Sequence, residues 1–354
     1  MKKDLEELRI DADGCDQQVM VEYGKALAKE LRFSEAFQWL YSCKQLDDPE
    51  ALFCLGICYL LGEGTEIDKN FAFHYFEKAA EKGYAQAQYN VGICYSRGVG
   101  VEKNKKEAFQ WYLKAAEKEY AKAQFNVGFC YFDGYGVEKD DKLAFQWFLK
   151  AAKQGDAEAQ NNVGTCYIYG DGVEKNSKLA FRWFLKSAEQ GDALAHFHVG
   201  DCYIFGEGVE KDEKEAFQWF LKASKKKFVL AQYNVGICYS LGEGVEKDRK
   251  KAFYWFSKAA KQGWAEAQFV VGGCYLNGVG VEKDEELVYH YIFNVAKNGQ
   301  YRAQCVLDMS FNPRIDYDTT NTNVLKLKQQ AYANNVDVQF LLAEMSFWGN
   351  DIVP

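Results

Sequence analysis

The sequence predicts an all-α protein, an α-solenoid of stacked helix-turn-helix repeats, and three observations predict it. The first is a 36-residue period: Gly56, Gly92, Gly128, Gly164, Gly200, Gly236 and Gly272 fall on one step, as do Cys58, Cys94, Cys130, Cys166, Cys202, Cys238 and Cys274. A fixed period of about 20 to 50 residues marks an array of one supersecondary unit, because a single unit cannot bury its apolar face alone. The second is apolar patterning at helical spacing in both halves of the unit. The third is punctuation: glycine pairs separate the halves, and only 3 prolines occur in 354 residues, as expected of a nearly all-helical chain.

In chain order, Met1 to Gly14 is short and charged, and is expected to be frayed or a partial helix. Cys15 to Leu46 holds two helical stretches, VMVEYGKALAKELR and SEAFQWLYSC, joined tightly at Arg32 and Phe33 without a glycine turn. Terminal repeats have one side facing water and are commonly atypical, so this stretch reads as an N-terminal cap. The organisation is therefore a tail and variant capping repeat over 1–48, seven regular repeats over 49–300, and degenerate C-terminal repeats with a cap over 301–354. Asp48-Pro49 opens the first regular unit with an N-cap and a proline at the first helical position.

The unit from Ala121 to Asp156 shows how each repeat is built. Its first helix places Ala123, Val127, Cys130 and Tyr131 on one face, with Gly128 beside them. Gly134 and Gly136 break it, and Asp140 caps a second helix; the equivalent Asn104 and Asp212 are followed by Glu107 and Glu215 in the capping-box pattern. That second helix carries Ala144, Phe145, Trp147, Phe148, Ala151 and Ala152. Its alanines allow close approach, and each buried ring is worth roughly 3 to 5 kcal/mol against alanine. Gly155 ends the helix as a left-handed C′ residue, and Asp156 caps the next one. Glu119 and Lys227 replace that glycine in two units, at an expected cost of about 1 kcal/mol.

After Gln300 the pattern decays but keeps its step: Asp308 to Phe311 align with Glu344 to Phe347. The turn from Asn312 to Asn323 has lost both glycines, and helices are expected over Val324 to Asn334 and about Asp337 to Trp348. That last helix is either a C-terminal cap or the point where a longer chain is cut. If it exposes Phe347 and Trp348, those rings would pair two chains end to end, so the expected state is a monomer or a weak end-to-end homo-oligomer.

Composition narrows function. A formal charge of −8 and a pI near 5.3 argue against nucleic-acid binding, which draws on clustered Lys and Arg. The turn charges, such as Glu174 and Lys175, read as a solvated edge. Met1 to Asp11 lacks the apolar core of a signal peptide, and no run of about 18 apolar residues exists for direct membrane insertion. The expected location is the cytoplasm, with delivery into a host cell left open. The 11 cysteines are expected to be small buried apolar residues. One per unit on the same helix face puts neighbours about 8 to 10 Å apart, whereas a disulfide needs Cα atoms within about 7 Å. No CxxC pair or Cys/His cluster has metal-ligand spacing, so no cofactor or metal is expected.

The order AxAQxxVGxCYxxGxGVEKDxxxAFxWFLKAAxxG resembles the Sel-one-like repeat family of the tetratricopeptide superfamily, directly over about 250 residues and through decayed copies over most of the rest. The resemblance implies a right-handed superhelix of helix pairs whose first helices line a concave surface. It also implies an adaptor or scaffold role. Some secreted bacterial members of the family carry a disulfide in each repeat and are associated with β-lactam binding or hydrolysis; this chain has no second cysteine in each regular unit.

On each first helix, positions i, i+4, i+7 and i+11 share a face away from the apolar stripe. Asn90, Asn126, Asn162 and Asn234 recur there, with His198 substituting in the middle, and Phe129, Tyr169, Phe205 and Leu241 lie further along. Asparagine offers the backbone a donor and an acceptor. One reading is a ladder that holds an extended peptide, with the apolar residues as side-chain pockets, similar to the asparagine ladders of tetratricopeptide grooves. The alternative is that each asparagine bonds a neighbouring helix and sets the twist. His198 with Asp201 is the nearest thing to a catalytic pair, but no activated nucleophile or second carboxylate accompanies it, and His74, His196 and His290 are scattered.

The expectation is thus a non-enzymatic scaffold binding a partner protein, through an extended peptide segment or a helix, on its concave face. Alternatives are a hydrolase of the β-lactam-binding type and a purely structural assembly scaffold.

Overall fold

The computed structural model describes residues 5–12, 16–43 and 47–297. The expectations placed on 301–354, including the last two helices and the exposed Phe347 and Trp348, lie outside these residues. Among the described residues every regular element is a helix, 17 in all, packed in consecutive pairs: the fold is an α-solenoid. The chain divides into two compact units, Met1–Asp192 and Ala193–Pro354.

The first unit begins with α1 (Leu5–Ala12), α2 (Gln17–Lys29) and α3 (Phe33–Ser42). Leu5 and Leu8 of α1 lie against the same apolar cluster as Leu27 and Leu40 of the next two helices. Lys25 of α2 ties these helices to the repeat that begins at Pro49. It is 7% exposed, and its Nζ donates to Asp48 at 3.0 Å and pairs with Glu22 at 2.7 Å. Asp48 meanwhile N-caps the next helix by accepting from the Ala51 N–H.

Four repeats follow. Their first helices are α4 (Pro49–Leu61), α6 (Ala85–Arg97), α8 (Ala121–Asp133) and α10 (Ala157–Tyr169). Their second helices are α5 (Lys69–Glu81), α7 (Lys105–Glu117), α9 (Asp141–Lys153) and α11 (Ser177–Glu189). The described part of the second unit repeats the scheme in α12 (Ala193–Phe205) with α13 (Glu213–Lys225), α14 (Val229–Leu241) with α15 (Arg249–Lys261), and α16 (Ala265–Asn277) with α17 (Glu285–Lys297).

The caps form where the sequence places them. Asp140 accepts from the Leu143 N–H and Asp156 from the Ala159 N–H, while Asn104 and Asp212 each accept two amides of their first turn. Gly134 closes α8 at φ 68°, and the Asp140 N–H folds back to the Tyr131 carbonyl at 2.9 Å, so the turn satisfies the helix end it leaves. Gly136, at φ 73°, lies so close to the backbone of Lys105 that any Cβ would collide with its carbonyl. The turn of one repeat thereby seats on the start of the preceding repeat's second helix.

Glycine also sits inside the first helix, and it receives a ring. A Cβ built on Gly128 would stand 2.6 Å from Cδ1 of Phe148. Gly92 faces Tyr112 and Gly164 faces Phe184 in the same way, so it is this glycine, as well as the expected alanines, that lets the two helices of a repeat close on an aromatic side chain. Between repeats, Phe109 meets Tyr131 and Phe145 meets Tyr167 edge-on, with centroids 5.4 Å apart in both pairs.

The tryptophans depart from simple burial. Trp147 is half-buried against the cluster formed by α7 and α8, and its ring is covered by Lys150, whose Nζ is 3.8 Å from the ring centroid. Trp111 with Lys114 and Trp183 with Lys186 repeat the arrangement in the first unit, as do Trp219 with Lys222 and Trp255 with Lys258 in the second.

A candidate binding face on the first helices

One face of each first helix is committed to the core: Ala123, Val127 and Cys130 of α8 are at most 3% exposed. Every described cysteine is buried and free. Burial pushes the thiols of Cys130, Cys166, Cys202 and Cys238 up to about 12, so they remain protonated and unreactive at neutral pH.

The opposite face carries the residues singled out from sequence. In the first unit Phe129 is 47% and Tyr169 65% exposed, with Asn90, Asn126 and Asn162 half-buried beside them. In the second unit Phe205 is 72% and Leu241 37% exposed, while His198, Asp201 and Asn234 are half-buried.

The asparagines are not equivalent. The Asn90 amide donates to the Gln86 carbonyl at 2.8 Å and that of Asn162 to the Glu158 carbonyl at 2.9 Å, each one turn back on its own helix. Asn126 instead hydrogen-bonds the Tyr89 side chain on α6, the cross-helix role. An amide has two N–H donors and an oxygen acceptor, so each of these bonds leaves capacity toward a ligand.

Asn126 borders a cavity of about 570 Å³ between α6, α8 and the start of α10. Ser96 and Tyr112 line it and belong to a hydroxyl network that extends beyond the lining to Tyr135. The Ser96 and Tyr135 hydroxyls are 3.0 Å apart, the Tyr135 hydroxyl also reaches the Ser96 carbonyl at 3.3 Å, and Tyr112 hydrogen-bonds Ser96. Burial holds the Tyr112 phenol well above the usual tyrosine range. The sequence signal of this network is Tyr112, which stands where five other units have Phe76, Phe148, Phe184, Phe220 and Phe256 and the last has Ile292.

In the second unit, His198 and Asp201 lie one turn apart on α12. Burial, and then the charge of Glu207, pushes the Asp201 carboxyl up to about 7. Of the other histidines, His74 is exposed on α5, His196 is buried against Trp219 and His290 is exposed on α17. Among the described residues no group of three or more His, Cys, Asp or Glu is placed to hold a metal ion, and no helix is long and apolar enough to cross a membrane.

Paired helices on a 36-residue step, with one face of each first helix buried in the stack, define a helical-repeat protein. The Sel1 repeat pattern matches residues 49–84, 85–120, 121–156, 157–192, 193–228, 229–264 and 265–291, and the chain belongs to the Sel1 repeat family, a tetratricopeptide-like family. It is similar to the crystal structure of a protective antigen present in uropathogenic Escherichia coli strains displaying an SLR fold, with 30% identity and a TM-score of 0.78, covering 98% of this chain and 76% of that one. It is also similar to a Sel1 repeat protein from Oxalobacter formigenes, with 29% identity and a TM-score of 0.68, covering 86% of this chain and 90% of that one. No curated protein matches it. Repeats of this family are generally protein-interaction scaffolds, and typically non-catalytic ones.

Proposed function

We propose that this chain holds an extended peptide segment or a helix of a partner protein along the face of its first helices. The observation that supports this reading is the exposure of Phe129 and Tyr169 in the first unit and of Phe205 in the second, on the first-helix face opposite the buried Ala, Val and Cys stripe. Exposed rings flanked by polar groups are where interface energy concentrates. Within the first unit, the Asn126 and Asn162 amides retain donors and acceptors for a partner's backbone.

The test compares wild-type protein with a Phe129→Ser, Tyr169→Ser variant and an Asn126→Ala, Asn162→Ala variant, each checked for wild-type helicity by circular dichroism. A partner captured by the wild type is purified and its Kd measured against all three. Each variant is expected to weaken binding by at least about tenfold, since a truncated anchor at such a site costs more than 1.4 kcal/mol. Unchanged binding by both would abandon the face in favour of assembly through the turns or the ends. Turnover of a β-lactam that is lost in a His198→Ala variant would instead favour the hydrolase reading.

A further inference from the structure

The cavity bordered by Asn126 combines charged, apolar and hydroxyl-bearing side chains. Its rim carries charges of both signs: Arg97 closes α6, Lys122 lies in the first turn of α8, and Asp156 and Glu158 stand at the start of α10. No salt bridge joins these four groups, although all are described residues. The charges of Arg97, Glu158 and Asp156 nevertheless all act on the Tyr89 side chain in the cavity wall. Ile93 and Phe125 add an apolar patch, and Ser96 and Tyr112 add hydroxyl groups to the lining, Tyr112 standing where the next unit has Phe148.

We propose that this cavity binds a short zwitterionic peptide, a di- or tripeptide with free termini and one apolar side chain. Its carboxylate lies toward Arg97 and Lys122, its ammonium toward Glu158 and Asp156, and its side chain on Ile93 and Phe125. A ligand of one sign meets repulsion from half of the rim, whereas a zwitterion satisfies both halves. A guanidinium and a carboxylate form strong charge-assisted hydrogen bonds with such termini. A cavity of this size suits a small molecule of that bulk, about 300 to 1,000 Å³ being usual for ligand sites. This site goes beyond the reading of the first-helix face, because it needs neither a long partner nor the exposed rings.

The experiment is calorimetric titration of the full chain with the tripeptide Gly-Gly-Phe, with its N-acetylated form and with its C-amidated form. Gly-Gly-Phe is expected to bind saturably, more weakly as salt is added, and each capping to weaken binding about tenfold. Arg97→Ala, at an exposed helix end, is expected to weaken Gly-Gly-Phe by a similar factor and to leave the C-amidated peptide unaffected. Glu158→Gln is expected to do the same with respect to the N-acetylated peptide. The Phe129→Ser, Tyr169→Ser variant retains tripeptide binding even where partner binding is lost. The proposal is overturned by absence of saturable binding at millimolar peptide, by equal affinity for all three peptides, or by variants that weaken every peptide alike.

Discussion

Gly128 shows how one residue can serve opposite ends in a helix and in a fold. In an isolated helix alanine is better than glycine by about 1 kcal/mol. Here the added methyl would meet the Phe148 ring at 2.6 Å, so Gly128→Ala is expected to destabilise the protein by about 1 to 3 kcal/mol in a urea titration, the reverse of the intrinsic preference. Asp201 gives a second prediction at this scale, with a sign that can be worked out. Its folded value is raised to about 7 from 3.8, so the folded chain holds this proton more tightly than the unfolded chain. The penalty is absent below about pH 3.8, grows as pH rises toward 7 and is complete above it. Asp201→Asn is therefore expected to raise stability by about 2 kcal/mol at pH 8 and to leave it nearly unchanged at pH 3.5, as read from denaturation midpoints at the two pH values.

At the scale of the element, the end of the second helix decides how one repeat hands over to the next. The sequence shows glycine missing at Glu119 and Lys227, and both residues do take positive φ, 61° and 64°. What it does not show is a buried glutamine relay just beyond. Gln124 donates to the Ala116 carbonyl at 3.2 Å and accepts from the Gln154 amide at 2.8 Å, and Gln160 with Gln190 repeats the arrangement. In the repeat before them the donor position is occupied by Lys118, whose Nζ turns instead to the Gly83 carbonyl, and the buried Oε1 of Gln88 has no partner. The double variant Lys118→Gln, Glu119→Gly supplies the missing donor and relieves the left-handed residue. It is expected to stabilise the chain by about 1 to 2 kcal/mol, measured by thermal and urea unfolding. A gain no larger than that of Glu119→Gly alone would mean that the relay contributes nothing.

At the scale of the whole molecule, contacts run between neighbours: within the first unit each helix packs against the next in the chain. Stability in such an array is close to a sum of repeat and interface terms, so the unit should be removable as a whole. Deleting residues 121–156 joins Tyr120 to Ala157 in register, since these are successive copies of the matched repeat. The shortened chain is expected to keep the wild-type ellipticity per residue. Deleting 121–138, half a unit, removes a first helix from its partner α9 and is expected to lose cooperative unfolding in the same assay.

The period, the caps and the glycine breaks were legible because each is a local requirement of the backbone, met by a residue type at a fixed place: Asp140 needs only the amide of Leu143, and Gly134 only its own φ. The candidate face was legible as a set of positions released from stacking, Asn126, Phe129 and Tyr169 among them. Its chemistry was less so. Two asparagines brace their own helices and one braces a neighbour, and a side-chain amide does not reveal in the sequence which carbonyl or hydroxyl lies nearest. The tryptophans illustrate the same limit, since the 36-residue step marks Trp147 as apolar but only its packing on α7 and α8 decides how far it is buried.

The sequence by itself determined the family, the helix pairs and their ends, because these follow from periodicity and from interactions within a few residues. Only the tertiary structure decided that Gly128 seats a ring, that Tyr112, Ser96 and Tyr135 join in one hydroxyl network, and that Arg97 and Glu158 border one cavity. Those contacts join residues on different helices, from about half a repeat to more than a repeat apart, and packing rather than local preference fixes where they meet.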